Sequence, residues 1–309
     1  MSPRNTRTFI VRPVPPFRLD LTAWALRRRP RSLIDRWDGS IYRRVISVGG
    51  GEVEVAVRQA GSSAEPRLIV STTPPLRNSA QRHQIRGVLD RLLGLRLDLT
   101  RWHRLAARDE RLAPMAARFR GVKPPRFATL FEALINAFAC QQLSLEVGLE
   151  LLNRLATRYG SSVHADDGDH YALPNPGDVA SLRPAQLRAL GFSAQKVRAI
   201  KDLARAITQG RLDLEALAHE SDQMVRQRLQ ELRGVGRWTV EYVLLRGFGR
   251  LDVLPGDDVG AQKRLAAWLG WRRPLDYDDV HHVAERWHPY AGMVYFHLLL
   301  DGLKQRGVL

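Results

Sequence analysis

The chain has 309 residues, 44% of them hydrophobic and 26% charged, enough to bury a real core in one large domain or two ordinary ones. Its formal net charge of +16 and isoelectric point near 10.9 point to a polyanionic partner, nucleic acid first and a membrane surface second. No stretch is long and apolar enough to span a bilayer, the single cysteine, Cys140, excludes an internal disulfide or a cysteine-rich metal site, and the nine histidines lack metal-ligand spacing.

Met1 to Arg18 is basic, rich in proline and free of acids, with no secretory signal. It reads as a disordered tail that brushes nucleic acid, with a transit peptide as the alternative. Phe17, Leu19 and Leu21 alternate with Arg18 and Asp20, which is strand spacing. Ile41–Ser47 and the alternating Val53, Val55, Val57 are two further strands joined by a Gly49-Gly50-Gly51 turn, and Arg67–Ser71 is another. Ile85, Val88, Leu89, Leu92 and Leu93 then recur at helical spacing. Residues 1–100 are thus expected to form a small antiparallel sheet with a helical cover.

Past residue 100 the pattern turns helical. Pro114, Pro124 and Pro125 mark a connection, after which Phe131, Leu134, Ile135 and Phe138 form one apolar stripe. Ser144 is placed to cap a helix bearing Leu145, Leu149, Leu152 and Leu155. His164–Pro176 reads as a polar loop, and Val197, Ile200, Leu203 and Ile207 mark another helix. A helix from Ser221-Asp222 ends at Leu232, and a further one covers Arg237–Phe248. Asp278 is expected to cap a helix through Trp287, and Pro289 to open the last one. The fold class is α+β: the sheet domain first, then an all-α domain over residues 101–309.

The chemistry concentrates in Leu232-Arg233-Gly234-Val235-Gly236-Arg237-Trp238-Thr239-Val240 and, twenty residues past Trp238, the acids of Leu254-Pro255-Gly256-Asp257-Asp258-Val259. Gly234 and Gly236 carry no Cβ, so the backbone can turn tightly and a phosphate can approach the free N–H groups of the next helix. An ordinary helix connection ended by glycine would use the same residues. A carboxylate following that helix can act on whatever the turn holds, and either Asp257 or Asp258 could instead be a simple helix cap. Trp238 and Tyr242 are four residues apart and share a helix face, as pocket lining or as core.

Leu232–Val240 resembles the hairpin of the helix-hairpin-helix (HhH-GPD) DNA glycosylases, and Leu254–Val259 resembles their aspartate loop. Within that superfamily the chain is most similar to the AlkA type, 3-methyladenine DNA glycosylase II, through Gly234–Thr239, Tyr242, Leu245-Arg246-Gly247, Pro255-x-Asp257-Asp258 and Ala284-Glu285-Arg286-Trp287-x-Pro289. The resemblance implies a base-excision repair hydrolase on double-stranded DNA that flips out alkylated purines, 3-methyladenine and 7-methylguanine, and cuts the N-glycosidic bond. It implies Asp258 as the catalytic carboxylate, with Asp257 minor. Trp238 and Tyr242 would line the pocket, and Leu299 falls where the family places another pocket tryptophan. Gly234, Gly236, Arg237 and Thr239 would hold DNA, Gln142 and Leu143 would fill the gap left by the flipped base, and Arg246 and Lys263 lie near the motif as phosphate contacts. Lyase relatives carry a lysine at the Trp238 position, so the implied enzyme is monofunctional; one cysteine rules out the iron–sulfur cluster of the endonuclease III branch. No cofactor is implied beyond a monovalent cation on the Gln230, Leu232 and Val235 carbonyls. The family is typically monomeric and works where the DNA is, in a nucleoid or a nucleus. A glycosylase for an oxidised or deaminated purine, and a noncatalytic DNA-binding protein of the same fold, are the alternatives.

Overall fold

The computed structural model describes residues 6–165 and 168–309. The tail expectation for Met1–Asn5 lies outside the described residues. From Thr6 the chain is not a tail but an edge strand, β1 (Thr6–Val11), paired antiparallel with a later strand. The strand expected around Phe17–Leu21 is instead helix α1 (Leu19–Arg27). The reason is burial on both sides: Leu19, Ala23 and Leu26 enter the core under the sheet, while Leu21 and Ala25 enter a second core of C-terminal helices. Five alternating residues look like a strand, but Leu and Ala continue through Leu26 and favour a helix.

The sheet follows as β2 (Arg36–Trp37), β3 (Ile41–Val48), β4 (Gly51–Ala60) and β5 (Arg67–Leu76), in spatial order β1-β5-β4-β3-β2, all antiparallel. Gly49 and Gly50 both take positive φ, 59° and 77°, which a two-residue hairpin turn between β3 and β4 requires. Val53, Val55 and Val57 bury against Ile85, Leu89, Leu92 and Leu93 of α2 (Ser79–Leu93).

The helical part runs through α3 (Thr100–Ala106), α4 (Leu112–Arg118), α5 (Leu130–Cys140) and α6 (Leu145–Tyr159). The expected loop after it contains a short hairpin among its described residues, β6 (Ser162–Ala165) with β7 (Gly168–Tyr171); Val163 and Ala172 bury against Val45 of the main sheet. Next come α7 (Pro176–Ser181), α8 (Pro184–Ala189), α9 (Ala194–Thr208), α10 (Asp222–Gln230), α11 (Arg237–Val243), α12 (Val259–Leu269), α13 (Tyr277–Ala284) and α14 (Ala291–Gln305). Leu244–Phe248 extends α11 as a wider π-type turn. Asp276, not Asp278, caps α13: its carboxylate accepts the Asp279 N–H at 2.8 Å and Asp279 accepts the Asp276 N–H at 3.1 Å. The last helix begins at Ala291, two residues after Pro289.

Two apolar cores hold these helices. One gathers residues of α5 to α11; the other gathers α1, α3, α4, α12, α13 and α14. The candidate site lies on the seam, because α11 belongs to the first core and α12 and α14 to the second. Among the described residues no helix is long and apolar enough to cross a membrane.

Candidate active site

The hairpin forms where α10 runs out. The Val235 N–H donates to the Leu232 carbonyl at 3.1 Å, and Gly234 adopts φ 78°. A Cβ on Gly234 would meet the Ala199 Cβ at 3.0 Å, so both backbone conformation and packing select glycine there. Gly236 precedes α11 without a side-chain cap, and it and Arg237 are exposed. The first N–H groups of α11 therefore face outward, the arrangement that accepts an anion. The hairpin is braced from α5: Gln141 donates through Nε2 to the Gly234 carbonyl (2.8 Å) and to the Thr239 hydroxyl (2.7 Å). Thr239 is buried, so its side chain is an internal brace and not the outward DNA contact expected from sequence.

Just past Gln141, Gln142 takes φ 54° and Leu143 is 43% exposed before Ser144 caps α6. Leu143 is therefore not core at a helix junction. An apolar side chain held out on a tight turn is suited to enter a base stack.

Trp238 and Tyr242 stack at 5.1 Å between ring centroids, 23° from parallel. Trp238 is half-buried and Tyr242 buried. The Tyr242 hydroxyl accepts from Arg28 Nη1 at 2.8 Å and donates to Asn136 Oδ1 at 3.0 Å. Arg246 does not reach the surface: it is fully buried under this stack, which corrects its expected phosphate role. Lys263 is exposed on α12.

Asp258 is half-buried at the start of α12. Its Oδ1 accepts the Ala261 N–H at 2.8 Å, and its Oδ2 accepts from the Tyr295 hydroxyl at 3.2 Å. The cap is thus Asp258 itself. Burial, and then the Asp258 charge, push the Tyr295 hydroxyl far above its ordinary range, so it stays a donor. Leu299 is buried one helical turn beyond Tyr295 on α14. Asp257 is not a cap: both its oxygens accept from Arg237, from Nε at 2.7 Å and Nη2 at 2.9 Å, while the guanidinium lies 3.5 Å from the Tyr277 ring centroid. This clamp ties the first turn of α11 to the acid loop.

Sequence reasoning missed Glu241, which holds that loop from beneath. It is fully buried on α11, accepting the Gly256 N–H through Oε2 and the Tyr277 hydroxyl through Oε1, both at 2.9 Å. His281 Nε2 lies 3.3 Å from Oε1. Burial works against its charge, but hydrogen bonds from His281, the Gly256 N–H and Tyr277 hold the carboxyl below the usual range. Gln262 adds a bond from Nε2 to the Gly256 carbonyl at 2.8 Å. A Cβ on Gly256 would lie 2.6 Å from His281 and 2.7 Å from Tyr277, so the loop can pack this closely only with glycine. The available signal was a carboxylate inside the apolar run Trp238–Leu245, which cannot stay unpaired. Tyr295, Asn136 and Arg28 were also missed, because their partners are far away in sequence.

The arrangement places one carboxylate, oriented by a helix N-terminus and a tyrosine, where both Tyr242 and Tyr295 feel its charge, beside an anion-accepting hairpin. The model of the HhH-GPD superfamily of base excision DNA repair proteins matches residues 135–289. A DNA-3-methyladenine glycosylase of Bacillus subtilis is 26% identical over 263 residues, 84% of this chain and 86% of its own length. A 3-methyladenine DNA glycosylase from Archaeoglobus fulgidus superposes with a TM-score of 0.84 at 23% identity, covering 97% of this chain and all of that one. A Schizosaccharomyces pombe 3-methyladenine DNA glycosylase in complex with abasic DNA gives 0.54 at 26% identity, covering 63% of this chain and 92% of that one. Hairpin and acid loop both fall inside the matched span, and the chain belongs to the HhH-GPD superfamily of base excision DNA repair proteins.

Proposed function

We propose that this chain is a monofunctional DNA glycosylase that flips alkylated purines, 3-methyladenine and 7-methylguanine, out of double-stranded DNA and hydrolyses the N-glycosidic bond. The observation that carries this reading is Asp258, held by the Ala261 N–H and the Tyr295 hydroxyl at the mouth of a stacked Trp238–Tyr242 pair. Breaking the bond builds positive charge on the sugar, which an oriented carboxylate stabilises while it directs water to the anomeric carbon. Trp238 offers no amine, so no Schiff base forms and the product is an abasic site. The exposed N–H groups after Gly236 grip a phosphate, and Leu143, beside Gln142, occupies the space the base leaves. The Gln230, Leu232 and Val235 carbonyls suit in chemistry a hard monovalent cation, which would add positive charge beside that phosphate. The protein acts as a monomer in the compartment that holds DNA.

The test is release of bases from methylated duplex DNA, scored by chromatography for wild type and Asp258→Asn. Asn keeps the cap, so the variant should fold and bind DNA while base release falls by about a hundredfold or more. Release at the wild-type rate by the variant removes Asp258 from the mechanism. Absence of release by wild type with DNA binding intact moves the assignment to another lesion or to a noncatalytic binder.

A further inference from the structure

Two guanidinium groups lie buried behind the Trp238–Tyr242 stack. Arg28, 4% exposed, follows α1 with φ 62°, a left-handed conformation that favours glycine. Its Nη1 donates to Tyr242 and its Nη2 to Asn136 Oδ1 at 3.0 Å, closing a triangle with the Tyr242–Asn136 bond. Arg246, fully buried, donates from Nη2 to the Ala25 and Leu26 carbonyls at 3.1 and 3.3 Å, so it meets the carbonyl end of α1. Its guanidinium carbon lies 5.1 Å from the Phe127 ring centroid, 5.4 Å from that of Phe296 and 6.0 Å from that of Tyr242.

Buried ions are ordinarily neutralised by a partner of opposite charge. Among the described residues, the Nε of Arg28 and the Nε and Nη1 of Arg246 have no hydrogen-bond partner, and neither side chain is in an ion pair. Asp35, the acid whose charge both feel, is engaged by Arg44 at 2.7 Å and by the Tyr42 hydroxyl at 2.6 Å. The back of the pocket is therefore electropositive. An N3- or N7-methylated purine nucleotide is a cation and enters against that potential; a neutral damaged purine does not.

We infer that Arg28 and Arg246 set lesion preference, forming a positive floor behind Tyr242 that disfavours cationic alkylpurines relative to neutral damaged purines such as 1,N6-ethenoadenine. This rests on the glycosylase reading above and refines its substrate class. Arg28 acts through Tyr242 and through its charge, and is a positioning and specificity residue.

The experiment compares single-turnover release of 7-methylguanine and of 1,N6-ethenoadenine by wild type, Arg28→Gln, Arg28→Met and Arg28→Lys. Removing one charge should raise the cationic-to-neutral rate ratio about tenfold in the Gln and Met variants, and Lys should keep the wild-type ratio. A purely structural role for Arg28 lowers both rates alike, and an unchanged ratio in the neutral variants overturns the inference. So does a ratio shift in Arg28→Lys equal to that in Arg28→Met. If wild type releases neither base, the glycosylase reading fails separately. Quenching of tryptophan fluorescence by 7-methylguanosine and by 1,N6-ethenoadenosine then decides this inference without catalysis. Tighter binding of the neutral nucleoside by wild type, lost in the neutral variants, upholds it; equal binding overturns it.

Discussion

Glu241→Gln tests whether the acid loop is held from beneath. Both Glu241 oxygens are committed, Oε2 to the Gly256 N–H and Oε1 to the Tyr277 hydroxyl with His281 Nε2 at 3.3 Å. Glutamine replaces one oxygen by an NH2 group, which cannot accept. If the NH2 faces Gly256, two donors collide. If it faces Tyr277, that hydroxyl must rotate and the contact with His281 is lost. In either orientation charge-assisted bonds worth about 1.5–3 kcal/mol each become neutral bonds of about 1 kcal/mol or none, a total loss of about 2–4 kcal/mol. Unfolding entropy of about 2.1 cal/mol/K per residue, over 309 residues, converts this to a melting-temperature drop of about 3–6 °C. The functional effect is larger, because Asp258 lies two residues beyond Gly256 and a displacement near 1 Å at a reacting group costs about a hundredfold in rate. Single-turnover base release should therefore fall by one to two orders of magnitude, while binding to undamaged duplex, carried by the hairpin, holds. A variant with wild-type melting temperature and wild-type release would refute the loop-locking argument.

Gly256→Ala should reproduce that loss of rate by a different route, since its Cβ would lie 2.6 Å from His281 and 2.7 Å from Tyr277; retention of wild-type release would show that the loop tolerates displacement. The same lock should depend on pH. Glu241 sits below its ordinary 4.5, so its contribution is present above that value and lost as pH falls through the folded value. His281 is raised above 6.5 by the Glu241 hydrogen bond, with burial opposing, so its contribution is full below 6.5 and lost as pH rises through the folded value. The melting-temperature gap between wild type and His281→Gln should be widest between pH 4.5 and 6.5 and shrink on the alkaline side, whereas a constant gap would remove His281 from the lock. Leu143→Ala, at a 43% exposed site, should leave stability within about 0.5 kcal/mol yet slow release from duplex DNA more than from a single strand. Equal slowing on both substrates would rule out a role in base extrusion.

What was legible in the sequence was local. Gly49-Gly50 and Gly234 declare themselves because positive φ excludes most other residues within a few positions of the turn. Ser144 and the Trp238–Tyr242 face are likewise set within one or two helical turns. What failed was non-local. α1 is packed between two cores, so it carries no polar face to show its period, and a five-residue alternation stood in for the missing stripe. β1 and the β6–β7 hairpin are short and partly polar, and their partners lie far along the chain or across a two-residue turn that composition does not mark.

The candidate site divides along the same line, and the division explains its construction. Hairpin and aspartate are sequence-local, but each is held in place by a residue from elsewhere: Gln141 for the hairpin, Glu241 and Tyr295 for the aspartate loop, and Arg28 for Tyr242. Glu241 sits on α11, the helix the hairpin opens, so the spacing between Trp238 and Asp258 has a structural cause. The chain leaves the seam through the π-type turn and returns far enough for the Gly256 N–H to land on a carboxylate one turn below Arg237, while Arg237 itself closes on Asp257. Hairpin and catalytic loop are therefore one rigid unit clamped at two points. A mutation loosening either clamp should act on catalysis before it acts on DNA binding.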